Sequence, residues 1–255
     1  MTTIADVFGC GGIYPNLTTT DKFIAGLECE VECVEACTKG HSFTSVPDHS
    51  LRKGGVEYLS TPMERQALVE GFTQLHKSLY FTKDSDPFSS RTSTHVHINC
   101  LSLSMEEART LILLYALFEE CFFLQVKPER RENIHCVPLT ETPLPAIYKK
   151  DLMGMFKHWS KYTALNLKRL SDLGTMEFRH MHGTGDTEEI AVWLHLLENL
   201  WQLSKTTKIT AITLTKENVL AWFDTIFAPS TRVMAYRSSL FTVIRNSYID
   251  VKFSL

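Results

Sequence analysis

THVHINCL, residues 94–101, alternates polar and apolar side chains with the period of a β-strand. His95, His97 and Asn99 therefore share one strand face, and Val96, Ile98 and Cys100 form the other. Two more segments repeat this design. In GLECEVE, 26–32, the carboxylates Glu28, Glu30 and Glu32 alternate with Leu27, Cys29 and Val31. In TMEFRHMHGT, 175–184, Glu177 and Arg179 face one way, with Met176 and Phe178 behind. A fourth polar pair comes from PDHSLRKGGVEYLSTP, 47–62, where Glu57 opens an apolar strand and Asp48 sits in the turn before it. Strands are expected over 22–36, 55–61 and 94–101, with short ones at 166–167 and 175–181.

Helical spacing separates these strands. Leu68, Phe72 and Leu75 fall on one side of a helix over 63–80. Ser104 is placed to cap a second helix, with Glu107 as its capping-box partner, running to about residue 125. A third helix is expected over 187–205, a connection at the Pro-rich 138–145, and helix over 146–160. Strands mixed with helices, without strict βα alternation, predict an α+β fold. Its sheet is antiparallel or mixed, with helices on one face and an active site on the open face. Residues 1–20 read as a lead-in to a single catalytic domain over 21–255.

The 255 residues carry a net charge of -3 and are 44% hydrophobic, the composition of a globular chain without a basic nucleic-acid-binding stripe. The apolar run Leu111 to Leu124 is too short for a membrane span and is interrupted by Glu119 and Glu120. Seven cysteines, with no leader pattern in the first thirty residues, predict reduced thiols and a cytoplasmic protein. Cys29, Cys33 and Cys37 lack the spacing of a zinc site and are expected to be buried on the back of a strand.

Taken singly, each polar motif has a plain reading. Glu28 and Glu30 lie about 6.5–7 Å apart on one strand face, where solvent screens them or a cation lies between them. Glu57 and Asp48 could be solvent-facing acids, His95 and His97 a solvated sheet face, and Glu177 and Arg179 a surface ion pair. Arg130 and Arg131, in PERRENIHC (128–136), could be solvated too. Taken together, the strands would converge six carboxylates or histidines on one patch. A mostly oxygen donor set suits Mg²⁺ or Mn²⁺, and two such ions beside arginines form a phosphate clamp.

The ordered set GLECEVE, PDHSLRKGGVEYLSTP, THVHIN, YTALNL (162–167) and TMEFRHMHGT resembles the amidoligase branch of the glutamine synthetase and glutamate–cysteine ligase superfamily, from residue 26 to about 195. The resemblance implies an ATP-dependent ligase that joins a small-molecule or peptide carboxylate to an amine through an acyl phosphate. It implies one ion held by Glu30, Asp48 and Glu57, near the acceptor carboxylate. A second ion, on the ATP phosphates, would be held by Glu28, His95 and Glu177. His97, with Asn99 on the same face, would lie beside the nucleotide. Arg179, assisted by Arg130 or Arg131, would stabilise the transferring phosphoryl group. The chain has no counterpart of the glutamate flap or of the amine-deprotonating acid of glutamine synthetases, and it leaves oligomeric state open. The rival expectations are a single-metal iron or zinc enzyme using His95, His97 and a carboxylate, and an inactive nucleotide-binding module of the same fold.

Overall fold

The computed structural model describes residues 2–12, 14–38, 41–52, 54–139 and 159–255. Among these residues seven strands form one antiparallel sheet: β1 (Ile24–Val31), β3 (Phe43–Pro47), β4 (Val56–Ser60), β5 (Met63–Glu64), β7 (Thr94–Asn99), β8 (Leu165–Asn166) and β9 (Thr175–Phe178). Their order is β3-β4-β1-β7-β9-β8, with β5 beside the first residues of β1. A separate two-stranded ribbon joins β2 (Val34–Cys37) to β6 (Leu79–Phe81).

Period-two alternation decides the two faces. Leu27, Cys29, Val96, Ile98, Met176 and Phe178 are buried on one side. Each such side chain contributes about 1.5–3 kcal/mol through burial. The helices that cover this face are α2 (Arg65–Ser78), α3 (Met105–Gln125) and α4 (Thr187–Thr206). Tyr115 of α3 packs edge-on against Phe178, and Trp201 of α4 packs edge-on against Phe23 while donating its indole N–H to the Asn99 carbonyl. α3 is buried almost all round, as its run of apolar residues requires, and its Ser104–Glu107 capping box is formed. Beyond α4 the chain adds α5 (Lys216–Phe227), two one-turn helices and α6 (Arg245–Ser254).

Several expectations change. The strand expected over 22–36 breaks after Val31, because Cys33 adopts a left-handed φ of 60°. Glu32 is then buried rather than alternating outward, and accepts from the Arg52 N–H and the Ser89 hydroxyl. Cys29 and Cys33 are buried, but Cys37 is exposed, since it lies beyond that break on the ribbon. All seven cysteines are free. β3 stands where a loop was expected, paired to β4 along its whole length. The first twenty residues are docked: α1 (Ile4–Phe8), closed by a Thr3–Asp6 capping box, buries Ile4 and bonds to the Leu101 and Leu103 carbonyls. The helix expected over 146–160 lies almost wholly outside the described residues. No helix among the described residues is long and apolar enough to cross a membrane.

Candidate active site

The uncovered face of β1, β4, β7 and β9 carries the polar set. Strand register fixes who meets whom: Glu28 lies opposite His95, Gly26 opposite His97, Glu30 opposite Glu57, and His97 opposite Glu177. Glu28 is central. Its Oε1 lies 3.0 Å from His97 Nε2 and its Oε2 3.4 Å from His95 Nδ1. Glu177 reaches the same rings, with Oε1 3.4 Å from His95 Nδ1 and Oε2 4.0 Å from His97 Nε2.

Neighbouring side chains hold this set in place. Asn166, buried on β8, donates its amide to Glu177 Oε2 at 2.6 Å and accepts the Lys168 N–H. Arg179 bonds Glu177 Oε1 and donates Nε–H to the His135 carbonyl. Ser93 donates its backbone N–H and its hydroxyl to Glu30 Oε2, at 2.8 and 2.7 Å. The Ser93 hydroxyl is also 2.8 Å from His95 Nε2, and the Thr175 hydroxyl 3.0 Å from His97 Nδ1. Ser93 is set there by a close chain crossing: Gly183 donates to the Thr92 carbonyl, and a Cβ on Gly183 would lie 2.0 Å from the Thr92 hydroxyl.

The electrostatics follow from burial and crowding. Burial pushes the Glu57 carboxyl up, and the charges of Glu28, Glu30, Asp48 and Glu177 add to it, bringing it to about 7. Burial acts the same way on Glu28, but contacts from His95 and His97 outweigh it and hold Glu28 far below the carboxylate range. Glu177 is likewise lowered: His95, His97 and Arg179 overcome its burial. His97 is raised, because Glu28 and Glu177 outweigh the burial that favours its neutral form. A proton on His97 thus stands where a cation would relieve two carboxylates.

The donor atoms have the spacing of ligands to a divalent ion. Donors sharing an ion at about 2.1 Å lie roughly 3 Å apart when cis and about 4.2 Å when trans. The contacts of Glu28 and Glu177 with the two rings, 3.0 to 4.0 Å, fall in that range. His97 Nε2 is buried with Glu28 Oε1 3.0 Å away, a separation open to a charged hydrogen bond when the ring is protonated and to two ligands when a cation replaces the proton. Two groups of three bring their donor atoms within 4.8 Å of one another: Glu28, His97 and Glu177, and Glu28, Glu57 and His95. Each holds one imidazole and two carboxylates, so neither has the two-histidine set of the single-metal expectation. The residues fit a divalent cation.

The other expected residues sit differently. Glu30 turns to Ser93, and Asp48, half-buried after β3, accepts the Ser50 N–H; neither joins a ligand group among the described residues. Asn99 spends its amide on the Leu17 carbonyl and the Leu101 N–H. Arg130 is buried and donates to the carbonyls of Arg179 and His180, which fixes the end of β9. Arg131 pairs with Glu120 at 3.0 Å and lies over the Phe123 ring.

Beside Glu28 and His97 opens a cavity of about 300 Å³, walled largely by apolar side chains such as Leu17, Leu59, Pro62 and Leu173, with Asp172 and Thr175 at its polar side. Arg169, paired with Asp172 at 2.9 Å and half exposed, stands next to it. The charges of Glu177 and Glu28 help to raise its guanidinium, so Arg169 is electrostatically part of the site. Arg169, Asn166, Ser93 and Thr175 are not among the residues the sequence motifs single out. Asn166 lay within the quoted YTALNL motif, and the others carried no local signal.

No curated protein matches the chain. A family profile described as "Putative amidoligase enzyme" matches residues 38–201, well over half of the chain. The match begins after β1, so Glu28 and Glu30 join the site by geometry alone. The chain belongs to this amidoligase family.

Proposed function

We propose that the protein is an ATP-dependent carboxylate–amine ligase that uses two divalent cations, Mg²⁺ or Mn²⁺, and forms its amide through an acyl phosphate. One observation carries the reading: Glu28, Glu57, His95, His97 and Glu177 gather on one sheet face, beside an apolar cavity with room for a flat ring. Bound cations supply charge neutralisation for the phosphates and for the attacking carboxylate.

The chain's own residues do the rest. Glu28, Glu57, Glu177, His95 and His97 hold the ions. Arg179, steadied by Glu177 and by the His135 carbonyl, presents its guanidinium to the transferring phosphoryl group. Arg130 supports Arg179 from behind through the backbone, so it acts by positioning. The cavity takes the nucleotide's base, with Arg169 at the polyphosphate. A substrate carboxylate attacks the γ-phosphorus, ADP leaves, and an amine then displaces phosphate from the acyl carbon.

Hydroxylamine trapping tests this reading. With ATP, Mg²⁺ and a panel of amino-acid and peptide carboxylates, at least one acid should give a hydroxamate together with stoichiometric ADP. Glu177→Gln should abolish both products. Nucleotide binding without ADP release across the panel would refute the ligase reading in favour of a binding module. Full turnover in the variant would overturn the site.

A further inference from the structure

We infer that the cavity holds a planar purine base between the bare backbone of Gly26 and the ring of Tyr14, and that Asn99 is a positioning residue that sets Tyr14 there through the Leu17 carbonyl. The inference rests on the nucleotide part of the proposed function and names the two surfaces that receive the base.

Gly26 takes the place on the open face of β1 before Glu28 and Glu30. A glycine inside a strand weakens it and marks a point where something approaches the backbone closely. Here φ is not positive, and an added Cβ would meet nothing nearer than the Ser60 hydroxyl at 3.8 Å. Neither backbone conformation nor packing against the protein therefore demands a glycine. The cavity does, because Gly26 is its floor.

The facing wall comes from the N-terminal segment, outside the stretch that the family profile matches. Tyr14 precedes the one-turn helix Pro15–Leu17 and lines the cavity together with Leu17. Tyr14 is 46% exposed, and its ring has no aromatic contact or side-chain hydrogen bond among the described residues. A ring so placed is a stacking platform, which any base accepts through its π-face. The remaining walls, Leu59, Pro62 and Leu173, are apolar, while Glu28, His97, Asp172 and Thr175 line the polar end. A base seated here leaves its phosphates beside Arg169 and the proposed cations.

The wall is fixed from β7. Asn99 accepts the Leu101 N–H on Oδ1, so Nδ2 is the end that donates, to the Leu17 carbonyl at 3.0 Å. The Thr18 hydroxyl closes the same turn on the Pro15 carbonyl at 2.8 Å. Gly11, with a φ of 121°, lets the chain pass close by: a Cβ there would lie 2.8 Å from the Thr18 methyl. Asn99, a polar residue on the open face, thus acts on the base through Leu17 and Tyr14.

Calorimetric titration of the full chain with Mg²⁺ compares ADP with inorganic tripolyphosphate, which has no base. Tyr14→Ala should weaken ADP about 10- to 100-fold, and Tyr14→Phe should keep wild-type affinity. Gly26→Val, whose methyls enter the cavity without meeting the protein, should weaken ADP at least about tenfold. Tripolyphosphate affinity should stay unchanged in all three, which also shows them folded. Asn99→Asp sets a carboxylate against the Leu17 carbonyl. It should weaken ADP, speed hydrogen exchange at the Leu17 and Thr18 amides, and add nothing in a Tyr14→Ala background. Wild-type ADP affinity in Tyr14→Ala or Gly26→Val, or an equal loss of tripolyphosphate, would overturn the sandwich. Additive losses from Asn99→Asp and Tyr14→Ala would overturn the positioning role. A wild-type chain that binds neither ADP nor ATP would sink the nucleotide reading itself, and the sandwich with it.

Discussion

Acid should destabilise this protein through His180, a buried imidazole outside the candidate site. His180 is fully buried among Tyr115, Phe122, Phe123, Phe178 and Trp193; among the described residues its ring has one hydrogen-bond partner, the Tyr115 hydroxyl 2.8 Å from Nε2. Tyr115 donates to Glu119 at 2.6 Å, so the ring must donate to Tyr115, which leaves Nδ1 bare and without a partner. Burial, reinforced by Arg130, lowers the imidazole from its ordinary 6.5 to about 3. The folded state thus refuses a proton that the unfolded chain accepts below pH 6.5. Stability is intact above that pH and is lost as pH falls toward 3. At about 1.4 kcal/mol per pH unit, the loss between pH 6.5 and 4.5 is about 2.7 kcal/mol. The perturbation is His180→Gln, whose amide N–H can still reach the Tyr115 hydroxyl. Urea unfolding of both proteins at pH 7, 6, 5 and 4.5 isolates the effect, because His76, pushed to about 4 by burial, and the carboxylates of the site act alike in both. The variant's deficit at pH 7 should shrink by about 2.7 kcal/mol at pH 4.5. A pH-independent difference would refute the reasoning. The functional link is Arg130, whose Nε–H bonds the His180 carbonyl while its other arm holds that of Arg179.

Three further outcomes are expected. Asn166→Leu removes the 2.6 Å bond to Glu177 and should cost about 1–3 kcal/mol in thermal unfolding together with a 10- to 100-fold loss of Mn²⁺ affinity; a stability loss alone would deny Asn166 any part in aiming Glu177. Arg169→Met breaks an exposed pair worth at most about 1 kcal/mol of stability, yet should raise the KM for ATP about tenfold; an unchanged KM would remove Arg169 from the nucleotide site. Ser104→Ala breaks the capping box of α3 and should lower stability by about 1 kcal/mol, visible as a drop in Tm, with activity per folded molecule unchanged.

Much of this architecture was legible in residue periods. β7 and β9 read as two-faced strands because one face must be buried, and α3 read as a buried helix because its apolar residues leave no polar stripe. The four-strand convergence followed from those faces. The polar partners were not legible. Ser93, Thr175 and Asn166 are ordinary residues whose meaning comes from the strand lying beside them. Arg130 and Arg131, adjacent in sequence, part company because one turns inward to backbone carbonyls and the other outward to Glu120. α1 was hidden because its capping box is short and its support comes from Leu101 and Leu103, about a hundred residues on.

The deepest gap is register. A period of two tells which side chains share a face, but it is blind to a slip of two residues. Such a slip between β1 and β7 would keep every buried residue buried. It would also set Glu30 against His95 and Glu28, in place of Gly26, against His97, so that each ring would face its own carboxylate. The observed register, Glu28 opposite His95 and Gly26 opposite His97, is pinned by side-chain hydroxyls. On one edge the Ser60 hydroxyl accepts the Leu27 N–H in the gap between β4 and β5. At the end of the β1–β7 pairing itself, the Glu30 N–H bonds the Ser93 carbonyl while the Ser93 hydroxyl returns to the Glu30 carboxylate. The contacts that set the register are therefore among those that aim the ligands, so a substitution at Ser93 perturbs sheet pairing and metal chemistry together.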